Sequence, residues 1–196
     1  MNNAKYPLKE QEQIFLNFIL KNPNINAILE GGFVDEISNW YLVAGCLNQT
    51  IWNQLTQREI LEGIGDYDLV YFDNDLSYEK EDQIIKKVQK KYSKLNLKID
   101  VKNQARVHLW IKEKWGINMQ PLVSVEDAVA SWPVTVACIG VRKEKEEYQI
   151  MAPYGLTDNL EMVLRPNKTT VMRESDFNYK TQKWMKSWPE LKLIKW

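Results

Sequence analysis

The stretch "GIGDYDLVYFD", Gly63 to Asp73, decides how this chain is read. Successive side chains alternate across a strand, so Asp66 and Asp68 fall on one face with origins about 7 Å apart. Val70 and Phe72 follow them on that face, while Tyr67, Leu69 and Tyr71 occupy the other. A half-exposed strand would stay polar along one side. The pattern predicts a strand buried on both faces, with two carboxylates gathered at its leading end.

Working outward, "NWYLVAGCLNQTIWNQLTQRE" (39–59) begins with an apolar run of strand length, Trp40 to Ala44. Gly45 marks a sharp turn, and Leu47, Ile51, Trp52 and Leu55 then recur at helical spacing. Downstream, "DLSYEKEDQIIKKVQKKYSKL" (75–95) predicts a helix capped by Asp75 or Ser77, with acids in its first turn and lysines in its last. "LNLKIDVKN" (95–103) alternates as a strand, setting Asp100 on the side of Asn96 and Lys98.

"QARVHLWIKEKWG" predicts a helix ending at Gly116, and "SVEDAVASW" a short one with Ser124 and Asp127 as a capping box, stopped before Pro133. "VTVACIGVR" and "EEYQIMAP" read as two strands joined by a charged turn. Helices over "PLKEQEQIFLNFILKN" and "NINAILE" precede this core, and a helix carrying Trp184 and Trp188 follows it. The order strand–helix–strand–helix–strand, flanked by helices, predicts one α/β (α+β) domain.

Composition bounds the function classes. With 44% hydrophobic and 27% charged residues, the 196-residue chain is an ordinary globular sequence long enough for a sizeable core. Twenty-six basic residues balance twenty-six acidic ones, so there is no strong nucleic-acid signal. One histidine, His108, excludes a His-rich zinc site, and Cys46 and Cys138 form neither a disulfide framework nor a metal-ligand spacing. "IFLNFIL" is too short to span a membrane or to serve as a signal peptide. A cytoplasmic protein without a membrane partner is expected.

Chemistry centres on Asp66, Asp68 and Asp100. If their strands are neighbours, about 5 Å apart, the three carboxylates meet at one sheet edge, where they repel unless cations neutralise them. Mg²⁺ is the natural cation for oxygen ligands combined with substrate phosphates, and two such ions suit an in-line displacement at phosphorus. Asp100 would be a further ligand or the base toward an attacking hydroxyl. Gly45, between strand and helix, would let backbone N–H groups approach a phosphate, with the Cys46 thiol as an additional weak donor. His108 and the lysine run 86–94 read as ordinary surface residues. Trp184, Trp188 and Trp196 read as anchors of the final helix.

In that order, "VAGC", "DYDLV" and "KIDV" resemble the polymerase-β-type nucleotidyltransferase superfamily. More narrowly, "AGCLNQTIWN", "DYDLVYFDNDLSYE", "VKNQARVHLW" and "LRPN" resemble a family of bacterial stand-alone nucleotidyltransferase-like proteins. A more distant likeness joins "MAPYGLTDNLEMVLR" and "SWPVTVACIGVR" to the head domain of bacterial CCA-adding enzymes and poly(A) polymerases. There Thr135 is kept, but Ser131 and Trp132 replace a pair of arginines.

The resemblance implies a single nucleotidyltransferase-like domain over residues 1–196, with N-terminal helices in 1–39, a catalytic core in 40–165 and a C-terminal helix in 166–196. It also implies Mg²⁺ as cofactor, an NTP as substrate and a hydroxyl acceptor of unspecified class, whether RNA, protein or small molecule. Asp66, Asp68 and Asp100 match the metal-binding and catalytic carboxylates, and Gly45 and Cys46 the pair beneath the triphosphate. Thr135, with Arg106, Arg142 or Arg165 in place of the missing arginines, completes the expected nucleotide contacts. The sequence leaves a second class open: a non-catalytic nucleotide-binding or interaction module on the same fold.

Overall fold

The computed structural model describes residues 7–196; the first six residues of the expected N-terminal segment lie outside it. Two helices open the fold, α1 (Leu8–Ile19) and α2 (Pro23–Gly31), the second capped by the Asn22 side chain. A mixed five-stranded sheet follows, ordered β3-β2-β1-β4-β5. Its strands are β1 (Trp40–Val43), β2 (Tyr67–Tyr71), β3 (Ile99–Asn103), β4 (Gly140–Glu144) and β5 (Glu147–Met151). β1 runs antiparallel to β2 and β4, β2 runs parallel to β3, and β4 and β5 form an antiparallel hairpin. Helices α3 (Gly45–Leu55), α4 (Tyr78–Lys91), α5 (Val107–Trp115), α6 (Val125–Ala130), α7 (Thr157–Leu160) and α8 (Glu174–Ser187) surround the sheet. Among the described residues, no helix is long and apolar enough to cross a membrane.

The signposts in the sequence act as expected at several ends. Ser77 accepts from the Lys80 N–H to start α4, Gly116 ends α5 in the left-handed region, and Ser124 accepts from the Asp127 N–H to start α6. β2 is buried along nearly its whole length, and Leu69 and Tyr71 are fully enclosed. One continuous core links Phe15 and Ile28 of the N-terminal helices to Leu42, Leu47, Trp52, Leu69 and the C-terminal Trp184 and Trp188.

Two segments depart from the alternation. Of "LNLKIDVKN", only Ile99–Asn103 is strand; Ser93–Leu95 is a 3-10 turn and Asn96 is left-handed, a conformation asparagine tolerates. Of "VTVACIGVR", only the part from Gly140 is strand, because Thr135–Ala137 forms a 3-10 turn. The buried amides of Asn48 and Asn159 both donate to the Val136 carbonyl, holding that turn against α3. A short parallel pair, β6 (Val163–Leu164) with β7 (Lys192–Leu193), was not legible as strand.

The C-terminal tryptophans do more than fill space. Trp184 and Trp188 both pack edge-on against Trp52 of α3. The Trp188 indole N–H donates to Asn53 Oδ1 at 2.9 Å, and Asn53 Nδ2 donates to the carbonyls of Ile60 and Glu62. Gly63, with φ +70°, lies under the Trp188 ring, where an added Cβ would come within 3.0 Å of it. The loop that delivers Asp66 is therefore held by the end of α8. Replacing Trp188 by Phe leaves the buried Asn53 acceptor unpaired, and should destabilise the fold by about 1–3 kcal/mol. Urea unfolding measures this, and backbone amide shifts of residues 60–68 should move with it.

Candidate functional site

The carboxylates meet at one end of the sheet. In the β2–β3 register Asp68 is the direct partner of Asp100, and in the β1–β2 register it is the partner of Val43, the last residue of β1. Asp66 sits two residues earlier, just outside the strand. Each flanking acid is engaged by a lysine: Lys98 Nζ lies 3.3 Å from Asp66, and Lys102 is paired to Asp100. The side chains of Asp66 and Asp100 are nearly half exposed, at 47% and 42%. In this arrangement no three acidic, histidine or cysteine groups among the described residues stand close enough to hold an ion. The donor set itself, three hard oxygen anions at a strand edge, fits Mg²⁺ once the lysines release the outer two.

The turn beside them is strained, but not where the sequence pointed. The unusual backbone falls on Ala44, at φ 57° and ψ −118°, a region L-residues rarely visit and which costs about 1–3 kcal/mol. Gly45 is instead the first residue of α3, and an added Cβ there would meet only Gln49 Nε2, at 3.8 Å. The space above Gly45 is open. The α3 ladder starts at the Leu47 and Asn48 N–H groups, both bonded to the Ala44 carbonyl. Among the described residues, no acceptor faces the Gly45 or Cys46 N–H, as is usual at a helix start.

The Cys46 side chain turns the other way. Its thiol is buried against the Val43 carbonyl at 3.7 Å, and burial, reinforced by the Asp68 charge, pushes it well above the usual thiol range. The thiol expected as an additional donor is therefore turned into the interior. Thr135, expected among the nucleotide contacts, is buried and engaged elsewhere: its hydroxyl donates to Asp158 Oδ2 at 2.9 Å, and Arg165 grips the same carboxylate through two nitrogens. The Ile139 carbonyl, four residues on, accepts from the Ala44 N–H.

The structure does not bring Arg106 or Arg142 to the carboxylates. Arg106 lies beyond the opposite end of β3, paired with Glu81 and donating to the Leu76 carbonyl. There it stabilises the Asn103 network, whose side chain binds the Asp73 and Asp75 carbonyls. Arg142 lies on the Tyr41 ring at 4.9 Å and donates to the Ser38 carbonyl. It lines a cleft of about 600 Å³ beside Trp40, at the far end of β1. The cations near the acids are Lys98, Lys102 and Lys180, which the motif reading passed over; Lys98 and Lys102 were visible as strand neighbours of Asp100.

Asp68 carries the electrostatic cost of the site. Burial pushes its carboxyl up to about 6, opposed by the Lys180 charge and reinforced by Asp66 and Asp100. The native pKa exceeds the unfolded value of 3.8, so the native state binds the extra proton between these values. Stability from this group is therefore full below about pH 4 and is lost as pH rises through about 6. Removing the charge with Asp68→Asn should stabilise the metal-free protein by about 2 kcal/mol near pH 7.5, with no gain near pH 4. Thermal unfolding of both proteins in EDTA at the two pH values checks the sign.

Comparison with known proteins bears on the fold and the family. A solved NMR structure described as revealing a CCA-adding enzyme head domain matches with a TM-score of 0.70 at 23% identity, covering 100% of this chain and 99% of that one. The likeness establishes the fold. No curated protein matches the chain. A family model described as nucleotidyltransferase matches residues 35–193, the span from the approach to β1 through β7, and the chain belongs to that nucleotidyltransferase family.

Proposed function

We propose that the chain transfers a nucleoside monophosphate from an NTP to a hydroxyl acceptor in a Mg²⁺-dependent reaction, with Asp66, Asp68 and Asp100 as the metal-binding carboxylates. The observation that carries this reading is the register setting Asp68 opposite Asp100 on one side and beside the end of β1, where α3 begins, on the other. Mg²⁺ bound to these three acids would supply charge neutralisation for the triphosphate and polarisation of the acceptor oxygen. The Gly45 and Cys46 N–H groups, at the positive end of α3, receive phosphate oxygens. Asp100, the more open partner of Asp68, takes the proton from the acceptor hydroxyl as its oxygen bonds to the α-phosphorus and pyrophosphate leaves. Two buried free cysteines suit work in the reducing cytoplasm.

One observation favours a second reading. Two lysines already occupy the outer carboxylates, which suits a module that binds nucleotide without turning it over. Titrating the isotope-labelled protein with Mg²⁺ and each of the four NTPs separates the cases. The expected result is a set of shifts at Gly45, Cys46, Asp68 and Asp100 that vanish in the Asp66→Asn/Asp68→Asn variant, with pyrophosphate released when a competent acceptor is added. Shifts that survive the double substitution would move the nucleotide elsewhere. Shifts lost in the variant, with no pyrophosphate formed from any acceptor class, would favour the binding module.

A further inference from the structure

The resemblance to CCA-adding heads leaves a gap in charge. Ser131 and Trp132 stand where that family carries two arginines, and Arg106 and Arg142 are committed elsewhere. Arg165 is held by both oxygens of Asp158. Of the two lysines flanking Asp100, Lys98 pairs with Asp66 and Lys102 with Asp100 in this metal-free arrangement, so both are tied to the acids that would take the metal.

Lys180 of α8 is different. It lies three residues after Phe177 and four before Trp184, both buried, and so projects from the helix face that packs on the core. Its ammonium lies 5.2 Å from the Trp184 ring centre and 5.8 Å from that of Trp132. Trp132 is tied to the segment that supports the α3 turn: its carbonyl receives the Cys138 thiol, and the Ile139 carbonyl beside Cys138 receives the Ala44 N–H. Among the described residues Lys180 has no ion-pair partner, although the strongest charge acting on it is that of Asp68. Burial lowers its pKa, which the nearby Asp68 charge only partly offsets.

A cation held against two tryptophan rings, near enough for the Asp68 charge to act on it but in no ion pair among the described residues, is placed for a negative charge that arrives with the ligand. We propose that Lys180 is the residue that binds the polyphosphate of the incoming nucleotide, taking over from the arginines absent at positions 131 and 132. The inference rests on the nucleotidyl-transfer reading and names a specific contact within it. Trp132 and Trp184 fix the ammonium so that little side-chain freedom is lost when the phosphate binds, an advantage over a free surface lysine.

The test measures binding of ATP, AMP and inorganic tripolyphosphate, each with Mg²⁺, to the full chain by calorimetry. Lys180→Met should weaken ATP and tripolyphosphate by about tenfold or more, leave AMP unchanged and not reduce affinity for Mg²⁺ alone. Lys180→Arg should recover most of the loss, since it keeps the charge. If Lys180→Met unfolds, Lys180→Gln replaces it, with thermal unfolding as the control for both.

Equal tripolyphosphate affinity in parent and variant would overturn the proposal, as would a parent that binds no polyphosphate. A variant that loses Mg²⁺ and AMP as well would also overturn it, because that marks structural damage. Tripolyphosphate binding lost in Lys180→Met, with no NTP bound by the parent, would uphold the lysine's role and remove the nucleotidyl-transfer reading instead.

Discussion

The structure depends on where β2 sits. It is enclosed between β1, which runs against it, and β3, which runs with it, so the end of β1 and the beginnings of β2 and β3 meet at one place. The Val43–Asp68–Asp100 row is a consequence of those two hydrogen-bonded registers. A slip of one residue in either would turn Asp68 to the opposite face and set Tyr67 or Leu69 in its stead. The apolar residues of β2 prevent that slip, because Leu69 and Tyr71 would lose fully buried positions. The hydrophobic core thus sets the position of the charged site.

That arrangement has a local cost. A partly buried carboxylate beside two others is a destabilising group in the absence of cations, and the raised Asp68 pKa expresses it. Ala44 adds backbone strain at the turn. Both burdens fall at the site proposed for phosphate and metal, and both are offset by contacts farther away. The Asn48–Asn159 amides hold the Val136 turn, Thr135 and Arg165 share Asp158, and the Trp52–Trp184–Trp188 cluster fastens α8 across α3. Strain concentrated in the site and stability supplied by its surroundings is the division expected of a functional centre.

Much of this could be read from the chain, for identifiable reasons. The aspartate-bearing strand was legible because its apolar run, buried on both faces, cannot be mistaken for a surface strand, and the helices because their caps are local. The meeting of Asp68 and Asp100 was conditional on their strands being neighbours, and the parallel β2–β3 register meets that condition. What was hidden depends on contacts between distant segments. Thr135–Ala137 has the composition of a strand and becomes a turn because two asparagines from other helices capture one carbonyl. The strained residue is Ala44 and not the glycine after it, and its N–H is bonded to the distant Ile139 carbonyl. Arg106 follows β3 at the end away from the acids, and Arg142, in the middle of β4, is taken by the Tyr41 ring and the Ser38 carbonyl, partners that spacing does not encode.

The same directional logic explains why a C-terminal helix matters to a site built on the sheet. β2 and β3 bring acids and their own lysines, so within the sheet charge is nearly balanced and little attraction is left for an anionic ligand. Additional positive charge has to come from another element. α8 carries Lys180 against the Trp184 ring, beside the face that turns Phe177, Thr181 and Trp184 into the core, and the Lys180 charge is felt at Asp68. A cation delivered this way is positioned by tertiary packing alone, with no strand motif to mark it. It also links the packing of α8 to the electrostatics of Asp68: the tryptophans that hold α8 against α3 hold Lys180 with it, and the Lys180 charge opposes the upward push of burial on the Asp68 carboxyl.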